Sequence, residues 1–277
     1  MSRNGNPYKP IKARLERVIV ESDDFSLKTF EFKLLEGNHF DYMPGQFCEV
    51  SVFGKGEAPF GIASSPTEGE LLKFTVNKAG VVTTALHEAE EGMIFGIRGP
   101  LGNWYPIDKF KGHNVLVVGG GFAFTTLRSL IVYILHNRNE FGELEVIYGA
   151  RRPGLLLYRD ELFEWEKRDD MKLHLTVDRE FPGWTRHVGF VPQVLERVAP
   201  SPKDTFAVVC GPPIMIKFTL PVLAKLGFEK DKVYTSLEKR MKCGLGKCGR
   251  CNIGEKYICK DGPVFSLAEL EELPPDL

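Results

Sequence analysis

Four closely spaced cysteines near the end of this chain constrain its chemistry more than any other feature. Cys243, Cys248, Cys251 and Cys259 follow the spacing C-x4-C-x2-C-x7-C, with glycines between the first three. Six cysteines in 277 residues are too few for a disulfide-stapled secreted scaffold, and a chain of this length buries a core without covalent help. We therefore expect the four thiols to bind a metal ion or a cluster.

Zinc and an iron–sulfur cluster are the two candidates for this site. Four thiolates form a closed tetrahedral zinc site, but typical zinc ribbons use two C-x2-C knuckles that are well separated in sequence. The C-x4-C-x2-C run is the plant-type [2Fe–2S] pattern, although there the fourth cysteine lies much further along the chain. Between residues 238 and 260, seven Lys or Arg stand against two Glu, and positive charge offsets an anionic cluster. The sequence favours [2Fe–2S] and leaves zinc as the alternative.

Charge and hydropathy limit the partners of the chain. Its 36 basic and 37 acidic residues give a formal charge of −1, which supplies no electrostatic footprint for nucleic acid or anionic lipid. The N-terminal stretch has no apolar core of signal-peptide length, and no apolar run approaches the ~20 residues that span a bilayer. We expect a cytoplasmic protein without membrane insertion, whose partners are small molecules and other proteins.

The local pattern changes twice along the chain and predicts three units. Over residues 1–110, short alternating runs such as 28–34 (KTFEFKL) are separated by turns with Gly or Pro, as in an antiparallel β-barrel. Over residues 111–236, strands alternate with helical segments, as in an α/β doubly wound parallel sheet. Residues 237–277 are predicted to form a small C-terminal lobe around the cysteines.

Two loops of the α/β unit carry the residues expected at a nucleotide site. Gly119, Gly120 and Gly121 follow the apolar run NVLVV and precede a helix, whose first backbone N–H groups are free to bind a phosphate. The run AVVC ends a second strand and leads into Gly211 and Pro212. Because the carboxyl ends of parallel strands lie at one edge of a sheet, both loops are predicted to meet a dinucleotide there. The alternative for the glycine run is a tight turn without a ligand.

Five motifs in a fixed order resemble one family over nearly the whole chain. They are MPGQF at 43–47, GPLGNWYP at 99–106, GARRPGLLLYRDEL at 149–162, CGPP at 210–213 and KCGLGKCGRCNIGEKYICKDGP at 242–263. They resemble the iron–sulfur flavoprotein branch of the ferredoxin–NADP reductase superfamily, above all the gamma (diaphorase) subunits of cytoplasmic sulfhydrogenases. The electron-transfer subunit of dihydroorotate dehydrogenase is related. The resemblance implies FAD between barrel and α/β unit, NAD(P)H against the flavin, and a [2Fe–2S] cluster.

The resemblance also implies which residues form the sites. The four cysteines named above would bind the cluster, and Cys210 would be the candidate catalytic residue at the nicotinamide. The candidates for FAD are Pro59, Phe60, Gly61, Ile62, Ala63, Ser64, Asn77, Gly80, Val82, Thr83 and Thr84. The candidates for NAD(P) are Gly119, Gly120, Gly121, Arg151, Gly211, Pro212 and Met215. For Arg151, a solvated surface position is the alternative.

The flavin motif departs from the family's pattern. Relatives usually read Arg-x-Tyr-Ser/Thr, whereas this chain has Ala58 at the arginine position, Phe60 at the tyrosine and Gly61 at the hydroxyl residue. The loop GVVTT at 80–84 begins a helix and offers amides and hydroxyls for the pyrophosphate in compensation. The alternative is that this loop only caps the helix predicted at 82–90.

The nucleotide loop departs further. Where relatives read G-x-G-x-A-P, the chain has Ala123 at the second glycine and Thr125-Thr126 at the Ala-Pro pair. A methyl group at Ala123 is expected to obstruct a pyrophosphate. This departure matters because it bears on whether the nicotinamide site works.

Two functions follow from the resemblance. The first is a diaphorase-type electron-transfer subunit, which passes electrons between NAD(P)H and a partner through FAD and [2Fe–2S]. The partner would be a subunit of a hydrogenase-like complex, dihydroorotate dehydrogenase or another iron–sulfur protein, docked near the basic cysteine lobe. The second is a relay and interaction subunit whose nicotinamide site has decayed. The intact CGPP motif favours the first function, and the loop at 121–126 favours the second.

Overall fold

A computed structural model describes residues 6–36 and 40–274 and places two large sheets in succession along the chain. The first sheet is antiparallel and consists of β1 (Ile11–Val20), β2 (Leu27–Leu34), β3 (Phe47–Val52), β4 (Gly56–Gly61), β5 (Leu71–Asn77) and β6 (Ile94–Leu101). The strand order is β4-β3-β6-β1-β2-β5. The edge strands β4 and β5 approach each other, so the sheet curves into the predicted barrel. Helix α1 (Val81–His87) follows β5.

The interior of the barrel is aromatic. Phe30, Phe32, Phe74 and Ile97 come from three different strands, and their side chains are almost completely buried in one cluster. Burial of one such side chain contributes roughly 1.5–3 kcal/mol. Cys48 lies fully buried in the same cluster, as expected for a residue of an alternating strand. The inward face of each strand therefore fixes the register of the barrel.

The second sheet is parallel except at one edge. Its strands are β7 (Asn114–Gly120), β8 (Leu144–Ala150), β9 (Lys172–Val177), β10 (His187–Val188), β11 (Thr205–Cys210), β12 (Val233–Ser236) and β15 (Val264–Ser266). The order is β10-β9-β8-β7-β11-β12-β15, with β15 antiparallel to β12. The helices of this unit are α2 (Ile107–Phe110), α3 (Phe124–His136), α4 (Arg159–Trp165), α5 (Val191–Val198) and α6 (Pro213–Leu226). Apolar clusters cover both faces of the sheet, as in a doubly wound fold.

The cysteine lobe is packed onto both sheets. It contains β13 (Asn252–Ile253), β14 (Lys256–Tyr257), α7 (Ile258–Asp261) and α8 (Leu267–Glu271), and its strand β15 extends the second sheet. Phe47 and Leu101 of the barrel share an apolar cluster with Cys251 and Cys259. The side chain of Asn103 ties the exit of the barrel to the backbone of the lobe through three hydrogen bonds of 2.7–2.9 Å. The predicted fold class, a barrel followed by an α/β sheet with a small C-terminal lobe, is confirmed.

Across the described residues, no helix has both the length and the apolar character needed to cross a bilayer.

Candidate functional site

A large cleft opens at the carboxyl ends of the parallel strands. Its volume is about 1090 Å³, which suits a dinucleotide or a similar ligand. The cleft lies between the α/β unit and the barrel, because Ser26 and Leu27 line it from the barrel side. Six of the residues predicted from the sequence line it together: Asn77, Gly120, Gly121, Arg151, Pro212 and Met215.

Steric contacts explain why glycines occupy this edge of the sheet. Gly121 has φ of +54°, which lies in the left-handed region that favours glycine. A Cβ atom on Gly120 would lie 2.2 Å from Met215 Sδ, and one on Gly211 would lie 2.4 Å from Met215 Cε. The Met215 side chain thus fills the space between the two predicted loops. Gly119 instead faces the core, since its Cβ would meet Phe124 at 2.6 Å.

Ala123 does not obstruct the cleft in the way the sequence suggests. Residues Gly121–Ala123 form a short 3₁₀ turn, and Ala123 is packed against the apolar core of the α/β unit. The cleft is lined by Phe122 and not by Ala123. The departure from the family's second glycine therefore leaves the cleft open.

Several lining residues were not predicted from the sequence. Phe190, Ile214 and Phe218 line the cleft and are 56%, 62% and 58% exposed. Asp178 also lines it and follows the end of β9. The rule that places ligands at strand carboxyl ends would have found Asp178, because Asp178 directly follows β9. For the aromatic residues, neither periodicity nor spacing gives a signal.

The two neighbouring arginines after β8 differ in their surroundings. Arg151 lines the cleft, where its charge opposes the rise that burial causes in the pKa of Asp178. Arg152 points to the barrel and forms ion pairs with Asp23 and Asp24. Of these two arginines, only Arg151 lines the cleft.

Cys210 lies at the contact between the barrel and the α/β unit, and it is not among the described residues that line the cleft. Its side chain is buried, and burial raises the pKa of the thiol to about 12. The Thr126 hydroxyl is 3.7 Å from Cys210 Sγ, and a Cβ on Gly61 would lie 2.3 Å from Thr126 Cγ2. The structure thus joins the predicted flavin residue Gly61 to the predicted nicotinamide residue Cys210 through Thr126. The thiol is neutral at neutral pH, so it can shape the pocket but does not act as a nucleophile.

The flavin candidates around β4 are held by helix α3. The carbonyl oxygen of Ala63 accepts a 2.8 Å hydrogen bond from Arg128, and that of Ser64 accepts one of 2.7 Å from the Ser129 hydroxyl. The Ser64 hydroxyl accepts a hydrogen bond from Tyr42. Ile62 is buried in the barrel, while Pro59 and Phe60 lie half-buried at the end of β4. The side chains of Ile62 and Ser64 are therefore structural, which leaves the exposed edge of this strand for a ligand.

The loop before α1 caps the helix and also contains backbone N–H groups that have no acceptor within the helix. Thr83 Oγ1 accepts hydrogen bonds from the backbone N–H groups of Ala79 and Gly80, at 2.9 and 2.7 Å. The Thr83 hydroxyl thus caps the helix, as the alternative interpretation held. Val82 packs on the barrel core, and Thr84 donates its N–H to Gly80. The first N–H groups of a helix have no acceptor within the helix. These groups of the loop are therefore available to donate hydrogen bonds to a phosphate.

The cysteine loop directs backbone N–H groups toward sulfur. Leu245 and Lys247 each place an N–H group 3.4 Å from Cys243 Sγ, and Gly246 places one 3.1 Å from Cys259 Sγ. Three glycines make this possible, since Gly244, Gly246 and Gly249 have φ values of +66°, +68° and +71°. Donors aimed at sulfur stabilise thiolates and the anionic clusters that they bind.

The four thiols lie close to one another. Cys243 contacts Cys248, Cys259 contacts Cys251, and Cys243 also acts electrostatically on Cys259. Burial raises the pKa of Cys243, but the N–H groups above outweigh it and bring the pKa down to about 6. Burial and the neighbouring Cys251 raise the pKa of Cys259 to about 12. Within residues 6–36 and 40–274, no three His, Cys, Asp or Glu side chains converge on one point as the ligands of a single metal ion do.

Residues 12–105 match the oxidoreductase FAD-binding domain, and residues 117–220 match the oxidoreductase NAD-binding domain. Residues 238–271 match the iron–sulfur cluster binding domain of dihydroorotate dehydrogenase B. Among solved structures, the cytochrome b5 reductase domain of Ulva prolifera nitrate reductase has a TM-score of 0.68 at 27% identity, covering 82% of this chain and 97% of its own. The shared architecture therefore extends over the barrel and the α/β unit.

Full-length relatives define the family. Sulfhydrogenase 1 subunit gamma of Pyrococcus furiosus is 34% identical over 99% of this chain and 96% of its own length. The probable dihydroorotate dehydrogenase B (NAD(+)) electron transfer subunit of Methanocaldococcus jannaschii is 33% identical over 93% of this chain and 90% of its own. The chain belongs to the family that comprises these sulfhydrogenase gamma subunits and dihydroorotate dehydrogenase B electron transfer subunits.

Proposed function

We propose that this chain is the diaphorase-type subunit of a hydrogenase-like complex and passes electrons between NADH and a partner subunit. One observation supports the proposal: the three candidate sites adjoin one another in the fold. Leu27 and Asn77 of the barrel line the cleft, Gly61 of β4 and Cys210 of β11 both lie against Thr126, and the cysteine loop packs on the barrel strands β3 and β6. A flavin held there would accept two electrons from the nicotinamide and release them singly to a cluster.

The residues present fit a binuclear cluster better than a single zinc ion. Cys243 lies against Cys248 and Cys259 against Cys251, which is compatible with two irons that each have two cysteine ligands, and three N–H groups are directed at Cys243 and Cys259. A tetrahedral zinc site instead draws four sulfurs around one centre. We therefore propose that Cys243, Cys248, Cys251 and Cys259 bind [2Fe–2S]. The six cysteines are all free, which is typical of the reducing cytoplasm where we propose the chain works.

The relay function without a nicotinamide site has less support. It rested on Ala123, which is partly buried against the apolar core and is not among the described residues that line the cleft. Arg151, Pro212 and Met215 still line the cleft as the family motif predicts. We propose that these residues orient the nucleotide and that Cys210 shapes the floor beneath the nicotinamide.

Anaerobic flavin bleaching tests the proposed function. We expect NADH to bleach the flavin when it is mixed with the isolated chain. The reduced chain should then reduce artificial one-electron dyes. Because Ala123 lies outside the cleft, Ala123→Gly should bleach at the wild-type rate. A flavin that dithionite bleaches and neither nicotinamide nucleotide bleaches would establish the relay function instead.

The charge of the cleft favours NADH over NADPH. Asp24, Asp178 and Glu196 line it, whereas Arg151 is the single cation among its described lining residues. The 2′-phosphate of NADPH adds nearly two negative charges, while the 2′-hydroxyl of NADH can donate a hydrogen bond to a carboxylate. We propose that Asp178, at the end of β9, accepts this hydrogen bond.

Substitution of Asp178 tests the choice of coenzyme. We expect Asp178→Asn to shift the ratio of apparent Kd values for NADH and NADPH by roughly tenfold toward NADPH, which equals about 1.4 kcal/mol. The matched control is Glu180→Gln, because Glu180 is exposed and does not line the cleft. A wild-type preference for NADPH that Arg151→Ala abolishes would contradict the assignment and make Arg151 the phosphate ligand.

The exposed surface of the lobe suits an acidic partner. Cys248 is exposed, and so are six cations around it: Arg240, Lys242, Lys247, Arg250, Lys256 and Lys260. The exposed acids of the same stretch are Glu238 and Glu255. Such a positive surface attracts a negatively charged protein and orients it toward the cluster loop. We propose that the partner subunit docks here.

A further inference from the structure

A buried arginine of the barrel contacts the cysteine loop. The side chain of Arg98, on β6, is 4% exposed. Its NH1 group donates a 2.7 Å hydrogen bond to the carbonyl oxygen of Cys243, and its NH2 group donates one of 2.8 Å to Glu57. A guanidinium keeps its charge at every physiological pH. A permanent positive charge is therefore held inside the protein next to the first predicted cluster ligand.

One row of the barrel sheet connects this arginine to the flavin strand. Glu49 of β3 is paired with Pro59 of β4 on one side and with Arg98 of β6 on the other. A Cβ on Gly244 would lie 3.3 Å from Arg98 NH1 and 3.5 Å from Glu49 Cγ, so the cysteine loop rests directly on this row. The relative position of the two candidate redox sites is thus set by three neighbouring barrel strands.

Glu49 and Arg98 are buried in this row although some of their polar atoms lack hydrogen-bond partners. Glu49 is 1% exposed, and neither its Oε1 atom nor the Nε atom of Arg98 has a hydrogen-bond partner among the described residues. Buried polar atoms without partners cost stability, and a buried ion pair is often replaced by apolar residues without loss. What Arg98 adds at this place is a donor and a charge directed at the Cys243 segment.

We propose that Arg98 is a positioning residue that fixes the Cys243 segment and makes the cluster bound there easier to reduce. The inference rests on the proposed function, because it needs a [2Fe–2S] cluster on the four cysteines. Reduction adds one electron to an already anionic centre, and a nearby positive charge stabilises the reduced form more than the oxidised form. Glu57, whose side chain is 34% exposed, partly offsets this charge.

The test is an EPR-monitored redox titration of the full chain at fixed pH, together with iron and sulfide analysis. We expect Arg98→Gln, which keeps a donor and removes the charge, to shift the midpoint potential of the cluster to a more negative value. Arg98→Lys should stay close to the wild type, and Glu57→Gln should shift the potential to a more positive value. The control Arg14→Gln removes an exposed charge of the same barrel and should leave the potential unchanged.

Three outcomes would overturn the inference. The first is an Arg98→Gln chain with full iron content and the wild-type potential. The second is an equal shift in Arg98→Gln and Arg98→Lys, because then the charge has no part in the effect. The third outcome concerns the case in which Arg98→Gln does not retain iron. The Glu57→Gln variant then provides the test, and a midpoint potential equal to that of the wild type would refute the proposal. A wild-type chain without iron would remove the proposed cluster itself, and with it this role of Arg98.

Discussion

Native protein prepared without oxygen is expected to contain two irons and two acid-labile sulfides per chain, and each of four cysteines is expected to be essential for them. Replacement of Cys243, Cys248, Cys251 or Cys259 by Ser should abolish or strongly perturb the EPR signal of the reduced cluster. The physical reason is that the thiols form two pairs, so that loss of any one leaves one iron with a single cysteine ligand. Iron and sulfide analysis with EPR of the dithionite-reduced protein measures both effects.

The matched control is Cys48→Ala. Cys48 is fully buried in the barrel core and is free, so its loss removes a core contact and no ligand. This variant should keep its iron and its EPR signal. Stoichiometric zinc in native protein that lacks iron would contradict the cluster. An unaltered signal in Cys259→Ser would show that the fourth ligand lies elsewhere, since 7 residues separate Cys259 from the C-x4-C-x2-C run.

The elements of this fold could be predicted from the sequence because their signals are local. The alternating run at 28–34 lies within β2, and the helix predicted after the glycine run is α3. Alternation and helical spacing are read within a window of about a dozen residues. Six of the candidates line one cleft, although they come from four separate segments of the chain.

The contacts that join the sites could not be predicted. Arg98 and Cys243 are 145 positions apart, and the contact of Gly61 with Thr126 also crosses from the barrel to the α/β unit. No periodicity encodes such pairs, because they depend on how the two units dock. The surroundings of Ala123 could not be predicted either, although they depend on residues close in the sequence. Its methyl looked like an obstacle in a linear motif, but Ala123 belongs to a 3₁₀ turn, is partly buried against the core and is not among the described residues that line the cleft.

Loss of Arg128 is expected to be among the most destabilising changes in the chain. The side chain of Arg128 is 2% exposed and forms ion pairs with Glu68 and Glu161 at 2.7 and 2.6 Å, besides its hydrogen bond to Ala63. Arg128→Met keeps much of the volume but removes the buried cation that Glu68 and Glu161 share, and loss of one partner of a buried ion pair costs about 3–5 kcal/mol. Urea denaturation measures this loss. Flavin binding should weaken as well, because Arg128 holds the Ala63 carbonyl at the flavin strand.

The acid sensitivity of the protein should change in the same variant. Burial raises the pKa of Glu68, but the hydrogen bonds and charge of Arg128 outweigh it and hold the pKa at about 2, below its ordinary value of 4.5. A carboxylate with a lowered pKa stabilises the fold above its unfolded value, and this contribution is lost as the pH falls from about 4.5 toward 2. In Arg128→Met the pKa of Glu68 should rise, so the variant should lose less additional stability over this acid range than the wild type does.

An exposed ion pair provides the control for this prediction. The side chains of Arg168 and Asp170 are 40% and 39% exposed, and pairs of this kind contribute about 0–1 kcal/mol. Arg168→Met should therefore leave the free energy of unfolding and its acid dependence almost unchanged. If Arg128→Met instead had the wild-type free energy of unfolding and the wild-type acid dependence, the ion pairs of Arg128 would not be the contacts that join α3 to the flavin strand. The hydrogen bond from Ser129 to Ser64 and the apolar core would then have to hold the two units together.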